Sequence, residues 1–98
     1  MITIDKTKRH EEICNEMHEL YEQKNAAYGD SFGDTYRKLG IISAITRITD
    51  KYNRLVTLAT NPNVDHGDES INDTLIDMAN YCILTMLEIE DEKERQNE

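Results

Sequence analysis

Residues 69–89, which read ESINDTLIDMANYCILTMLEI, decide the fold of this 98-residue chain. From Leu75 to Ile89 apolar residues occupy almost every face of a helix, whereas a typical surface helix confines them to one stripe. No strand-type alternation of any length occurs in the chain. The sequence therefore predicts an all-α fold in which this helix must be covered from several sides.

The first of two upstream helices is predicted at about residues 8–27. Its apolar side chains recur at helical spacing on one face, and its glutamates lie mostly outside that stripe. The run YGDSFGD, residues 28–34, gathers glycine, serine and aspartate residues that favour turns. The helix is therefore expected to end near Tyr28 and Gly29 and to pass into a loop. Its apolar stripe consists of Ile13, Met17, Leu20 and Tyr21.

The second upstream helix is expected to open near Asp34 or Thr35 and to continue to about Thr60. Gly40 lies inside it, where a glycine is tolerated. Pro62 stops the helix because proline lacks the amide donor and restricts the residue before it. Together with the apolar helix, the chain is thus predicted to form three long helices.

The third helix is predicted to begin with Asp68 as its N-cap and to continue to about Glu94. Two other helices of a small chain would struggle to cover its apolar surface. We therefore expect a bundle whose core is completed by homo-oligomerisation. The length favours a single domain over residues 1–98, with residues 1–7 and about 92–98 frayed.

The composition of the chain excludes several kinds of binding partner. The formal net charge of −9 disfavours direct binding to a DNA or RNA backbone, where a basic face supplies most of the affinity. Cys14 and Cys82 lie in apolar patterns without metal-ligand spacing, so they are predicted to be reduced core residues. The chain shows no secretory signal and no apolar run of membrane-spanning length, which predicts a cytoplasmic protein with no membrane partner.

Three carboxylates spaced by four residues, Glu69, Asp73 and Asp77, form an acidic stripe on the third helix. Like charges at this spacing repel, so a compensating cation is expected. One interpretation is a magnesium site, because magnesium in nucleotide sites takes one or two protein carboxylates and completes its shell with water and phosphate. The other is a set of ion pairs with cations of the second helix.

The second helix supplies those cations in the run RITDKYNRL, residues 47–55. Arg47, Lys51 and Arg54 share one face. In one interpretation, these cations form salt bridges with the third helix. In the other, Lys51 and Arg54 hold phosphate oxygens of a ligand. The run KNAAYGDSFGD, residues 24–34, adds a lysine, glycine amides and two aromatic rings that could close over a base.

These motifs, taken in order, resemble the nucleotide modification associated domain 1 family. The resemblance rests on KNAAYGDSF, a glycine within the next helix, RITDKYNRL and ESINDTLIDMANYCIL, and covers about residues 24–84. It implies a small helical protein of phage or prophage origin with a nucleotide-related ligand. The positions that match the family are Tyr28, Gly29, Asp50, Lys51, Arg54, Glu69, Asp73, Asp77, Asn80 and Tyr81.

The chain is more weakly similar to the all-helical nucleoside triphosphate pyrophosphohydrolases of the MazG and dimeric dUTPase kind. Those enzymes bind magnesium with carboxylates on adjacent helices and carry an acidic pair three residues apart. The acidic spacing here is four. A full ligand set would require Glu12, Glu16 or Asp50 to join the stripe.

Three functions follow as hypotheses, and no catalytic residue is assigned. The first is a phage-type accessory protein that binds a nucleotide or nucleotide-derived signal and counters host defence by sequestering it. The second is a magnesium-dependent nucleotide pyrophosphohydrolase. The third is an acidic inhibitor of a host nucleic-acid-binding protein. The ligand-binding residues are predicted to be Lys24, Tyr28, Gly29, Lys51, Arg54, Asn80 and Tyr81, and the metal ligands Glu69, Asp73 and Asp77.

Overall fold

The computed structural model describes residues 3–61 and 70–97 and is all-helical over these ranges, which confirms the predicted fold class. The chain divides into two compact units, one ending at Asp30 and the other beginning at Ser31. Among the described residues, no helix is both long and apolar enough to cross a bilayer. The helices are α1 (Lys6–Tyr28), which belongs to the first unit, and α2 (Ser31–Leu39), α3 (Ile41–Thr60) and α4 (Ile71–Gln96), which form the second.

The ends of α1 follow from local chemistry. The side chain of Asp5 caps its start by accepting a hydrogen bond from the amide of Lys8 at 3.1 Å. Gly29 ends the helix in a left-handed conformation with φ 68°, and its N–H donates to the carbonyl of Asn25. The predicted end near Tyr28 is confirmed. No residue of α1 is buried.

Within the described ranges four helices form where three were predicted, because the predicted second helix is broken at Gly40. This glycine has φ 76°, which lies outside helical geometry, and its N–H donates to the carbonyl of Tyr36 at 2.7 Å. The hydroxyl of Ser43 then donates to the Gly40 carbonyl. The predicted loop is also wrong in part, since Ser31 to Asp34 already belong to α2.

The start of α4 also differs from the prediction. Ser70, and not Asp68, is the N-cap, and Asp68 lies outside the described residues. The Ser70 side chain accepts from the amide of Asp73 at 3.0 Å, while the Asp73 carboxylate accepts from the Ser70 amide at 3.2 Å. This reciprocal pair is a capping box. At the other end, residues 92–96 remain helical as part of α4.

The relative direction of α3 and α4 follows from two contacts. The guanidinium of Arg47 lies over the ring of Tyr81. One turn later on α3, Lys51 binds Asp77, which lies one turn earlier on α4. The two helices therefore run antiparallel.

Two contacts between α2 and α4 define the direction of α2 in this unit. Phe32 stacks on Tyr81, with ring centroids 5.9 Å apart. Further along α2, Arg37 lies 3.7 Å from the carboxylate of Glu88, further along α4. Consequently α2 runs in the same direction as α4, and the turn at Gly40 folds it back along α3.

The core of the second unit is small. Across the described ranges, the buried apolar side chains are Tyr36, Ala44 and Leu58, joined by the polar residues Thr74 and Glu88. The hydroxyl of Thr74 is satisfied locally, because it donates to the Ser70 carbonyl. The prediction that both cysteines lie in the core is wrong, since Cys14 and Cys82 are exposed and unbridged.

Candidate functional site

An aromatic and cationic cluster lies where the three helices of the second unit meet. The ring of Tyr81 stacks against Phe32 with an interplanar angle of 20°. The central guanidinium carbon of Arg47 lies 5.9 Å from the centroid of the same ring, within the range of a cation–π contact. Because these side chains come from α4, α2 and α3, the cluster holds a flat ring and a positive charge at a point fixed by tertiary packing.

One turn away, an ion pair joins the same two long helices. The ammonium nitrogen of Lys51 lies 3.0 Å from a carboxylate oxygen of Asp77, and the two side chains are 24% and 22% exposed. Partial burial reduces solvent screening, so this pair is held more firmly than a typical surface salt bridge. This is one ion pair of the kind that the ionic interpretation of the acidic stripe predicts.

Arg54 and Asn80 extend this polar face. Arg54 follows Lys51 by three residues on α3 and is half-buried, as is Asn80, which precedes Tyr81 on α4. Residues three or four apart share a helix face, so Arg54 continues the row of cations begun by Arg47 and Lys51. Four of the predicted ligand-binding residues therefore lie in the second unit: Lys51, Arg54, Asn80 and Tyr81.

The other three predicted ligand-binding residues belong to the first unit. Lys24 and Tyr28 lie in the last turns of α1, and Gly29 ends that helix. The Tyr28 side chain is 77% exposed. Their role in stacking on a base or closing over a ligand stays a prediction.

The predicted metal ligands have separate surroundings. Asp73 serves in the capping box, where the hydrogen bond from the Ser70 amide, followed by that with the Ser70 hydroxyl, holds the pKa of its carboxyl below the usual range. Asp77 pairs with Lys51. Glu69 lies outside the described residues. Within the two described ranges, no three acidic, histidine or cysteine side chains are grouped as a metal ion would require.

A second polar cluster lies at the opposite end of the α2–α4 contact. The phenol of Tyr36 donates to the carboxylate of Glu92 at 3.2 Å. Burial, helped by that carboxylate, raises the pKa of Tyr36 above its ordinary value. Nearby, Arg37 binds Asp34 on its own helix and lies against the buried Glu88. A cleft of about 480 Å³ opens here, lined by Tyr36, Arg37, Gly40, Ile41, Ile89, Glu92 and Arg95.

Sequence reasoning left two members of the central cluster out of the predicted site. Arg47 was recognised only as a helix-face cation, and Phe32 only as a loop aromatic. The break at Gly40 is what returns α2, and Phe32 with it, to the side of α4. The basic residues Arg37 and Lys38, followed by glycine, are a helix-end signal that predicts such a break.

Comparison with known protein families identifies the family of this chain. The family described as nucleotide modification associated domain 1 matches residues 24–89, more than half of the chain. The matched stretch runs from the last turns of α1 through most of α4, so it includes the whole central cluster. It confirms the resemblance inferred from the sequence. No curated protein and no solved structure matches the chain.

Proposed function

The chain belongs to the nucleotide modification associated domain 1 family, and we propose that it binds a nucleotide or a nucleotide-derived signalling molecule. The proposed site is the α3–α4 polar face, defined as Arg47, Lys51, Arg54, Asn80 and Tyr81. The observation that carries the proposal is that two cationic side chains of α3, one turn apart, contact side chains of α4. Arg47 lies over Tyr81, and one turn away Lys51 lies against Asp77.

The chemistry of this face suits a phosphorylated ligand with a planar base. Guanidinium and ammonium groups bind phosphate oxygens through charge-assisted hydrogen bonds. Aromatic rings and the amide of Asn80 offer stacking and hydrogen bonding to a base. With a net charge of −9, the rest of the chain offers little attraction to an anion. A local row of cations is therefore required to hold phosphate.

Asp77 stabilises the position of the Lys51 side chain when no ligand is bound. Its carboxylate holds Lys51 in place, and a phosphate would compete for the same ammonium group. Binding should therefore depend on the charge of Lys51 more than on any new packing. Such a binding protein would counter host defence against phage by sequestering a nucleotide-derived messenger.

The test is binding of a panel of nucleoside triphosphates, deoxynucleotides and cyclic or ADP-ribose-type nucleotides to the purified chain in the presence of magnesium. Calorimetry measures affinity, and mass spectrometry measures whether each compound is recovered intact. Replacing Lys51→Gln together with Arg54→Gln should weaken binding at least about tenfold, since each lost charge-assisted contact contributes about 1.5–3 kcal/mol.

The matched control is Lys38→Gln, which removes a cation from the exposed end of α2. It should leave affinity unchanged. Circular dichroism of each variant reports whether the helices remain formed. Unchanged affinity of the folded double variant would overturn the site, and the absence of binding by any compound in the panel would overturn the function.

A second candidate, the magnesium-dependent pyrophosphohydrolase, is favoured by the one-turn spacing of Asp73 and Asp77. A magnesium ion would have to compete with Ser70 and Lys51 for these carboxylates. The same incubation separates the two functions, because only an enzyme releases a shortened nucleotide. In that case Asp77→Asn should abolish turnover while the chain stays folded.

We also propose that the core is completed by homo-oligomerisation. The support is the small buried core of the second unit, set beside the many apolar side chains that remain exposed on α3 and α4. A domain of this size buries a modest fraction of its surface and gains stability from association. Oligomeric state is independent of ligand binding and is measured separately.

A further inference from the structure

Arg47 is held in a different way from three other arginines of the chain. Arg9, Arg37 and Arg95 each bind a carboxylate of their own helix. Of the residues that the structure describes, none supplies a carboxylate to Arg47. Its guanidinium carbon lies 5.9 Å from the centroid of the Tyr81 ring instead. In an acidic chain, this arginine is therefore held by an aromatic ring and not by an acid.

A contact with a ring leaves the hydrogen-bonding edge of a guanidinium available. The guanidinium has five N–H donors in its plane, and a carboxylate that binds side-on takes up two of them. A cation–π contact draws on the charge rather than on those donors. The Arg47 side chain is also exposed, so an oxyanion from solvent can reach it. Lys51, by comparison, already shares its ammonium group with Asp77.

Phe32 holds the ring on which Arg47 lies. The rings of Phe32 and Tyr81 stack with their centroids 5.9 Å apart and an interplanar angle of 20°. Both side chains are half-buried. Because packed side chains keep to one rotamer, the contact with Phe32 limits how the Tyr81 ring can turn. It thereby limits the positions open to the guanidinium above that ring.

Positioning of this kind favours binding of a phosphate. An exposed arginine loses rotamer freedom when it binds an oxyanion, and this loss opposes binding. An arginine that is already held in place loses less. The planar guanidinium also matches two oxygens of one phosphate group, which the ammonium group of a lysine cannot do.

We propose that Arg47 is the residue that recognises phosphate geometry in the α3–α4 polar face, and that Phe32 of α2 positions it through the ring of Tyr81. This inference rests on the proposed nucleotide binding. It adds a residue from outside the α3–α4 polar face and gives Arg47 a role different from that of Lys51 and Arg54, which contribute charge.

Calorimetric titration of the full chain with inorganic pyrophosphate tests the role of Arg47, because this probe has phosphate oxygens but no base. Arg47→Lys keeps the positive charge and removes the planar guanidinium, so it should weaken binding about tenfold. Arg47 is exposed, and the variant should stay folded by circular dichroism.

The outcomes separate this inference from the proposed function. Unchanged affinity of Arg47→Lys, or a wild-type chain that does not bind pyrophosphate, would overturn the inference. The proposed function would still stand if the wild-type chain bound a nucleotide and Lys51→Gln together with Arg54→Gln weakened that binding. Absence of nucleotide binding as well would overturn both.

A second titration with the same probe tests the positioning role of Phe32. Phe32→Leu should weaken binding about threefold in the wild-type chain and have no effect in Arg47→Gln, because the ring acts only through Arg47. Phe32→Tyr, which keeps the ring, should retain affinity. The control is Tyr52→Leu, which removes an exposed ring of α3 and should leave affinity unchanged. Equal effects of Phe32→Leu in both backgrounds would overturn the positioning role.

The ligand-free wild-type chain provides a test that does not require Phe32→Leu to fold. Nitrogen-15 relaxation gives the order parameter of the Arg47 Nε–H group. A value close to that of the helix backbone is expected, because the side chain is held on the ring. A value below about 0.6 would show a mobile guanidinium and would overturn the positioning role.

Discussion

The two compact units differ in how far their charged side chains reach. In α1, Arg9 binds Glu16 and His18 binds Glu22, and both pairs join exposed side chains of the same helix. The second unit has local pairs too, such as that of Arg37 with Asp34, but there Lys51 also reaches across to Asp77 on another helix. The first pattern supports a helix locally, whereas the second fixes how helices pack.

The difference shows where sequence changes should matter. A local surface pair contributes little, because solvent screens it and its side chains lose entropy on pairing. A half-buried pair between helices is screened less and defines a register. Perturbations of the second unit should therefore have large effects on the free energy of unfolding, and matched changes in α1 should have small ones.

The largest effect is expected from Leu58→Ala, which truncates one of the buried side chains of the small core. It should lower the free energy of unfolding by about 2–3 kcal/mol, through lost burial and the cavity left behind. Urea denaturation at fixed protein concentration measures this. Leu39→Ala, the same change at a side chain 69% exposed, should cost much less. Equal costs would contradict the assignment of the core.

An intermediate effect is expected from Tyr36→Phe, which removes the hydrogen bond to Glu92. Near neutral pH the loss should be about 1 kcal/mol. Because the pKa of folded Tyr36 is raised, the unfolded chain loses the phenol proton first, so its contribution to stability is lost as pH rises above the ordinary value of 10.0.

The corresponding measurement is the melting temperature of both chains from neutral pH to strongly alkaline pH. The wild-type chain should lose more stability than Tyr36→Phe over the alkaline part of this range. Parallel curves would show that Tyr36 does not titrate differently in the folded state.

A similar or slightly smaller effect is expected from Ser70→Ala, which removes the N-cap of α4. The cost should be about 1 kcal/mol, typical of a lost side-chain cap. Asp73 then loses a hydrogen-bond partner, so the pKa of its carboxyl should rise toward its ordinary range. Carboxyl titration followed by NMR measures that shift. The shift should be partial, because the Ser70 amide, which is the larger cause of the lowered pKa, remains in the variant. An unmoved pKa would exclude a contribution from the Ser70 hydroxyl.

The smallest effect is expected in α1. Replacing Glu16→Gln removes an ion pair with Arg9 in which both side chains are about half exposed. No measurable change in the free energy of unfolding is expected, because the pair is local and solvated. The reference is Asp77→Asn, which breaks the half-buried pair with Lys51 and should destabilise clearly. A larger loss for Glu16→Gln would reverse the comparison between the units.

Much of this architecture follows from local sequence patterns. The helical fold class and the end of α1 at Gly29 were predicted correctly, since periodicity and turn residues act over a few neighbouring positions. The capping box at Ser70 was missed, although serine followed three residues later by aspartate is a recognised helix-start pattern. The error placed the start of α4 too early.

The break at Gly40 shows where local reasoning stops. A glycine can remain inside a helix, at a cost of about 1 kcal/mol relative to alanine, or end the helix in a left-handed conformation. The local preference favours a break at Gly40 without deciding it. Packing of α2 against α3 and α4 favours the second outcome. Because this turn brings Phe32 against Tyr81, Phe32 belongs to the central cluster although it was not among the predicted site residues.

By itself, the sequence determined that the chain is helical, where α1 ends, which cations share a face of α3 and which family the chain resembles. These properties depend on residue spacing along a helix and on local backbone preferences. Only the tertiary structure decided that Lys51 meets Asp77, that Arg47 lies over Tyr81 and that both cysteines are exposed. Contacts between residues distant in sequence depend on how whole helix faces pack. That packing is set by many residues together, so local sequence patterns do not reveal it.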